Sequence, residues 1–273
     1  MTMSSLQTSP TVGTAPSTNP QQNRVPLHRA SRKQILGALF KREFFSYFRS
    51  PVAYVFLAVF IIASNGLTWF VGNFFESNDA SLSQFFTFLP WVYLFLIPAV
   101  GMRLWSEEKK SGTWELLFTY PLRIGDAVIA KFLAGWAFIG VGLVLTCTMP
   151  FTLAYLGNPD LGPIIAGYFG ALLMAGSYLG ICSLASAITR NQVVSFVLGL
   201  IGCLVLLFLG WSIFNDVLHG IGLPVSWVDF IANLGFLPHF EPMGKGLIAL
   251  RDIFYFIFLT VFALWLNTVV LER

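Results

Sequence analysis

Apolar residues run along this chain in six long blocks, at 51–71, 85–104, 127–155, 163–188, 192–214 and 253–271, with polar joints between them. A helix rising about 1.5 Å per residue needs about 20 apolar residues to cross a bilayer. Each block meets that requirement, so the pattern predicts an all-α membrane protein with six transmembrane helices. Ser50-Pro51 reads as a cap followed by an N1 proline at the start of the first span. The third block is longer than a span needs, and Pro150 is expected to kink or end it.

Three segments follow other patterns. Over residues 34–49, a wheel of about 100° per residue gathers Leu36, Leu39, Phe40, Phe44 and Tyr47 on one side. Lys41, Arg42 and Arg49 fall on the other. This predicts an N-terminal interfacial amphipathic helix with its basic face toward anionic head groups. Glu43 lies inside the apolar arc. Either its carboxylate reaches water at the surface or it meets a basic partner such as Arg103 or Lys131.

Residues 103–126 read RLWSEEKKSGTWELLFTYPLRIGD, the one long charged interruption between two spans. A charged turn (Glu107, Glu108, Lys109, Lys110) leads to a break at Ser111-Gly112. Thr113 is a candidate N-cap for a second short helix over 113–120, where Glu115 suits the positive end of the dipole. Pro121 ends it, and Asp126 is expected to cap the next span. Trp114, Leu116, Leu117 and Phe118 would then stand on a short helix facing water, where a soluble partner would have to cover them. The third segment, 215–252, holds enough Trp, Phe, Leu and Ile for one or two helices in an outer loop. It reads as a packed lid or as a ligand site. His239 and Glu241 are two residues apart without a third ligand nearby, which is a poor basis for a metal site.

Charge fixes the expected orientation. Arg24, Arg29, Arg32, Lys33, Lys41, Arg42, Arg49, Arg103, Lys109, Lys110, Arg123, Lys131, Arg190 and Arg273 all fall on one side of a six-span chain. Only Lys245 and Arg251 fall on the other. Both termini and the 103–126 loop are therefore expected in the cytoplasm. Residues 1–33 form a tail rich in Ser, Thr, Pro, Gln and Asn that is expected to be disordered, without the apolar core of a signal peptide. The membrane domain is 34–273.

Composition agrees with this reading. The chain is 56% hydrophobic and 11% charged, with mean hydropathy +0.74, whereas soluble domains carry about 25% charged residues. The net charge of +3 follows from topology and points to no nucleic acid. Cys147, Cys182 and Cys203 lie inside predicted spans and read as small packing residues. The sequence lacks a GxxxxGK[ST] phosphate loop, so ATP is not bound by that route. Ionisable side chains are missing from the central part of every span, which disfavours a proton relay. No nucleophile–base or carboxylate pair can be assembled from spacing alone. Gly176-x-x-x-Gly180 in the fourth span would let two helix backbones approach, within the subunit or between subunits. With no charge in the spans, Asn65, Thr68, Tyr93 and Ser195 are the candidate residues of a pathway between two subunits.

Three segments carry a resemblance to a known family: KREFFSYFRSPVAY (41–54), FLIPAVGMRLWSEEKKSGTWELL (95–117) and HFEPMGKGLIALRDIFYF (239–256). With six spans they resemble the permease subunits of ABC type-2 transporters, and more narrowly the gliding-motility-associated, GldF-like permeases. The resemblance covers residues 35–273. It implies two permease subunits, the same or homologous, and two copies of an ABC ATPase, and it allows an auxiliary GldG-like subunit. ATP and Mg would sit on the ATPase, so the chain itself would bind no cofactor and would not be an enzyme. The 113–120 helix would be the coupling helix, with Glu107, Glu108, Gly112, Thr113, Trp114, Glu115, Leu116, Leu117 and Phe118 at the ATPase contact. The expected function is ATP-driven export from a bacterial inner membrane, with the substrate and any part in gliding motility open. Two other classes stay in play: a non-transporting membrane scaffold or assembly factor, and an enzyme acting on lipid at the outer loop.

Overall fold

The computed structural model describes residues 32–72, 81–112, 123–157, 159–222 and 224–272. Among these residues all regular structure is helical. Six helical stretches are long and apolar enough to cross a membrane: Pro51–Val71, Ser83–Ser111, Ile124–Leu156, Leu161–Ile188, Gln192–Leu209 and Leu250–Glu272. The tail before residue 32, the predicted helix over 113–120 and Asn158 lie outside the described residues.

In chain order, α1 (Arg32–Arg49) leads into α2 (Pro51–Gly66), which ends in a π-helical turn at Leu67–Val71. Ser50 is the N-cap residue and Pro51 opens α2, where its missing N–H costs nothing. Next come α3 (Ser83–Gly101), α4 (Ser106–Ser111), α5 (Ile124–Leu145) and α6 (Thr148–Leu156). The predicted third span is broken at Thr146-Cys147, before Pro150. A proline ring clashes with the carbonyl four residues upstream, and for Pro150 that residue is Thr146. Arg123, not Asp126, is the N-cap residue of α5; Asp126 sits in the first turn.

The long α7 (Leu161–Ile188) is the most buried of the six spanning stretches, at 72%. It is capped by Asp160, whose side chain accepts from the Gly162 N–H at 3.0 Å. Its small residues let neighbours close in. A Cβ added at Gly180 would lie 3.2 Å from Ala263 Cβ, so Gly180 serves packing within the subunit. Cys182 and Cys203 are free thiols, their sulfurs 3.8 Å apart.

α8 (Gln192–Leu209) is capped by Asn191 and stops at Leu209, earlier than its apolar block. The backbone of Gly235 crosses so close to Gly210 that a Cβ on Gly235 would fall 2.2 Å from Gly210 N. The Phe236 N–H donates to Leu206 O at 3.1 Å. Side chains at this crossing would force the segment that follows α8 off the bundle. That segment folds as α9 (Ser212–Gly220), α10 (Val225–Ala232) and α11 (Leu237–Gly244), and α12 (Leu250–Glu272) completes the bundle beside α7. His239, Phe236 and Phe240 are buried there. His239 Nδ1 lies 2.7 Å from Asp252 Oδ1, its Nε2 lies 3.0 Å from Asn233 O, and its ring stacks on Tyr255. The sequence placed His239 beside Glu241; the fold pairs it with Asp252 instead and uses it to pin α11 to α12.

Candidate functional site

Among the described residues, the end of the bundle that carries α1 and α4 gathers most of the ionic contacts. α1 packs on α5 through aromatics: Tyr47 stacks on Phe138 at 4.9 Å, and Phe48 meets the same ring edge-on. Leu39 is buried, whereas Lys41, Arg42 and Arg49 are exposed. Arg32 Nε holds both carboxylate oxygens of Asp126, at 3.1 and 3.0 Å. Both ends of α1 are therefore tied to α5, Arg32 to its first turn and Tyr47 and Phe48 to its second half.

Glu43, on the α5-facing side of α1, has two partners. Its Oε1 accepts from Arg42 at 2.7 Å, and its Oε2 lies 3.4 Å from Lys131 Nζ. Of the two partners the sequence offered, Lys131 is the one in reach; Arg103 instead pairs with Glu107 at 3.2 Å. Lys131 is almost fully buried and also meets Glu108 at 2.7 Å. Its ammonium lies 5.3 Å from the centre of the Trp105 ring. One buried cation thus links α1, α4 and α5.

Burial alone would raise the Glu43 carboxyl, but the Lys131 charge and the Arg42 hydrogen bond and charge outweigh it and hold the group below its ordinary value. A carboxylate depressed in the fold stabilises it at pH above the unfolded value, about 4.3. That contribution is lost as pH falls through the lower folded value. Between about pH 6 and about pH 3, wild type should therefore lose more thermal stability in detergent than Glu43→Gln, whose side chain does not titrate there. Parallel losses would show that the pairing contributes nothing to stability.

α4 is fixed by a residue the sequence did not single out. The buried Ser186 hydroxyl, near the end of α7, accepts from the N–H groups of Trp105 and Ser106, both at 3.0 Å. It donates to Met102 O at 2.9 Å. One side chain thereby satisfies the backbone of the turn at 102–106 that separates α3 from α4. Lys109 Nζ donates to Ala187 O on the same helix end. The only signal in the sequence was a serine amid an apolar run, and nothing there announced which backbone it would meet. Ser186→Ala leaves buried N–H groups unpaired and should cost about 1–3 kcal/mol, read as a lower unfolding midpoint with the oligomeric state unchanged.

Gly112 ends α4 in the left-handed region at φ +71, with open space where a Cβ would sit. A side chain there meets strain, not a clash. Glu107 and Glu108 thus lie in the first turn of α4 and Gly112 at its exit. Thr113, Trp114, Glu115, Leu116, Leu117 and Phe118 lie outside the described residues.

The four candidate pathway residues are not gathered on a surface. Asn65, Thr68, Tyr93 and Ser195 are all buried in the subunit. Thr68 donates to Ser64 O in the π-helical turn, and Asn65 Nδ2 lies 3.5 Å from Thr148 Oγ1. Tyr93 sits between Phe60 and Tyr178. In this packing their side chains face other helices of the same subunit, so lining a path between two subunits would require those helices to move.

No curated protein matches the chain. The family model described as ABC-2 family transporter protein matches residues 37–273, from α1 to the C-terminal residue. That span takes in all six candidate membrane helices and the ionic end of the bundle, and the chain therefore belongs to the ABC-2 transporter family of multi-pass membrane permeases.

Proposed function

We propose that this chain is the permease half of an ATP-driven exporter in a bacterial inner membrane, working with a second permease subunit and two copies of a separate ABC ATPase. The observation that carries this reading is the fixing of α4. Ser186 and Lys131 hold the segment just before residues 113–120 against α7, α5 and α1. A push received by a short helix at 113–120 would pass into the bundle through these contacts, because a well-packed support transmits displacement instead of absorbing it. ATP and Mg belong to the ATPase in this reading. α1 lies in the head-group layer on the cytoplasmic side, its exposed Lys41, Arg42 and Arg49 toward anionic lipid. Within the family, the three quoted segments favour the GldF-like permeases, for which an auxiliary GldG-like subunit is a natural further partner.

Co-purification with an ATPase, followed by hydrolysis assays of the complex with candidate substrates, tests the proposal. Stimulated hydrolysis supports it. Isolation of a stable complex that contains other membrane proteins and no ATPase would favour a scaffold instead. Topology can be checked separately. A cysteine placed at Asn158 should be labelled from outside the cell and one placed at Ser111 should not; labelling of the Ser111 position from outside would overturn the cytoplasmic placement of α4.

A further inference from the structure

The elements around Lys131 also enclose a cavity of about 540 Å³, a size ordinary for a site that binds a small organic ligand. Its two ends differ in chemistry. One wall is apolar and comes from α2 and α3, through Val55, Phe56, Val59, Leu96 and Val100. The other end carries Glu43, Arg103, Glu107, Glu108 and Lys131. Val52, Val55 and Val59 are 57%, 61% and 45% exposed, so the apolar side opens on the flank of a membrane-length helix. A site with an aliphatic wall, a charged end and a lateral opening fits an amphiphile entering from the bilayer.

The charges select its head group. Counting Arg42, which holds Glu43, three carboxylates meet three cations at this end, so it is neutral overall and suits a zwitterionic head group. Both oxygens of Glu43 are engaged, by Arg42 and Lys131. Glu108 is engaged on one side only: Oε1 meets Lys131, while Oε2 is buried and has no hydrogen-bond partner. An unpartnered buried carboxylate oxygen is costly and is satisfied best by a charged donor. Arg103 donates to Glu107 from Nε, leaving the outer edge of its guanidinium for an anion such as phosphate. We infer that the cavity binds an aminophospholipid from the surrounding membrane, with its primary ammonium on Glu108, its phosphate at Arg103 and one acyl chain along Val55 and Val59. The inference does not depend on the transport reading, since it concerns binding to the permease alone.

The test uses the full chain reconstituted with equal amounts of phosphatidylethanolamine, its N-methyl and N,N-dimethyl derivatives, phosphatidylcholine and phosphatidylglycerol. Lipid retained after mild extraction is read by native mass spectrometry. Retention should fall stepwise with methylation, because each methyl removes a donor. Phosphatidylethanolamine should exceed phosphatidylcholine by about tenfold, or about 1.4 kcal/mol. Glu108→Gln should erase this preference while some lipid stays bound, and Val55→Trp should reduce every lipid by filling the chain's place. The methylation series uses the unaltered protein, so it stands even where a variant folds poorly. Equal retention of the choline lipid, stronger retention of the anionic lipid, or an unchanged preference in Glu108→Gln would each overturn the inference. So would a Val55→Cys disulfide between subunits in a protein that retains no lipid, because the flank would then be an interface between copies.

Discussion

Lys131→Met should destabilise the permease by about 3–5 kcal/mol, the usual cost of removing one partner from a buried ionic group. Lys131 is 4% exposed, and it faces Glu43 at 3.4 Å and Glu108 at 2.7 Å. Without its ammonium, two partly buried carboxylates remain near each other, Glu108 with neither oxygen paired. Arg42 still holds Glu43, but its guanidinium is exposed and the bond is screened by water. The contact over Trp105 is lost as well. The cost should come from stranded charge and not from lost packing, since Met fills much of the lysine's space. The triple variant Glu43→Gln, Lys131→Met, Glu108→Gln should therefore recover most of the lost stability, because a buried ionic cluster adds little over a neutral one of similar shape. Unfolding midpoints in one detergent decide the matter. A triple variant as unstable as the single one would show that the charges themselves hold α1 and α4 on α5.

That cluster shows where the sequence was legible and where it was not. The six spans could be read because a bilayer imposes a length and a composition on every one of them. Glu43 could be flagged because a carboxylate among Leu39, Phe40 and Phe44 violates a simple helical pattern. Choosing Lys131 over Arg103 needed the packing of α1 on α5 through Tyr47 and Phe138, which no local pattern encodes. Ser186 illustrates the same limit more sharply: its partners lie about 80 residues away in sequence, and a serine in an apolar helix has many possible uses. The end of α8 was misplaced, and the break expected at Pro150 falls about one turn upstream, for related reasons. The Pro150 ring acts one turn upstream of itself, and Gly210 stops α8 where the Gly235 backbone crosses it. Asn65, Thr68, Tyr93 and Ser195 were read as pathway residues because the spans carry no charge. All four are buried within the subunit, which is another way for polar groups in a span to avoid lipid.

Leu117→Asp should abolish coupled transport while leaving the six-span bundle folded and at its normal level in the membrane. In the proposed reading, Trp114, Leu116, Leu117 and Phe118 stand on a short water-facing helix that the ATPase covers. Burying one such side chain in a groove of the ATPase contributes about 1.5–3 kcal/mol, less the cost of association. An aspartate at the same place would have to be desolvated without a partner, which reverses the sign of that contribution. The bundle should tolerate the change, because the contacts that hold α4 are made by Trp105, Ser106, Glu108 and Lys109, upstream of the substituted residue. Gly112→Val should act in the same direction by another route. Gly112 leaves α4 at φ +71 with nothing near its Cβ position, so valine meets backbone strain of about 1–3 kcal/mol and relieves it by swinging the following segment away. Pull-down of the ATPase and transport, measured at matched membrane levels, test both variants. Loss of both readouts in Leu117→Asp, with a smaller loss in Gly112→Val, fits a helix whose apolar face docks and whose direction is set by the glycine. Full ATPase binding and full transport in Leu117→Asp would mean that the force enters the permease elsewhere, and that Ser186 and Lys131 brace α4 for the stability of the bundle alone.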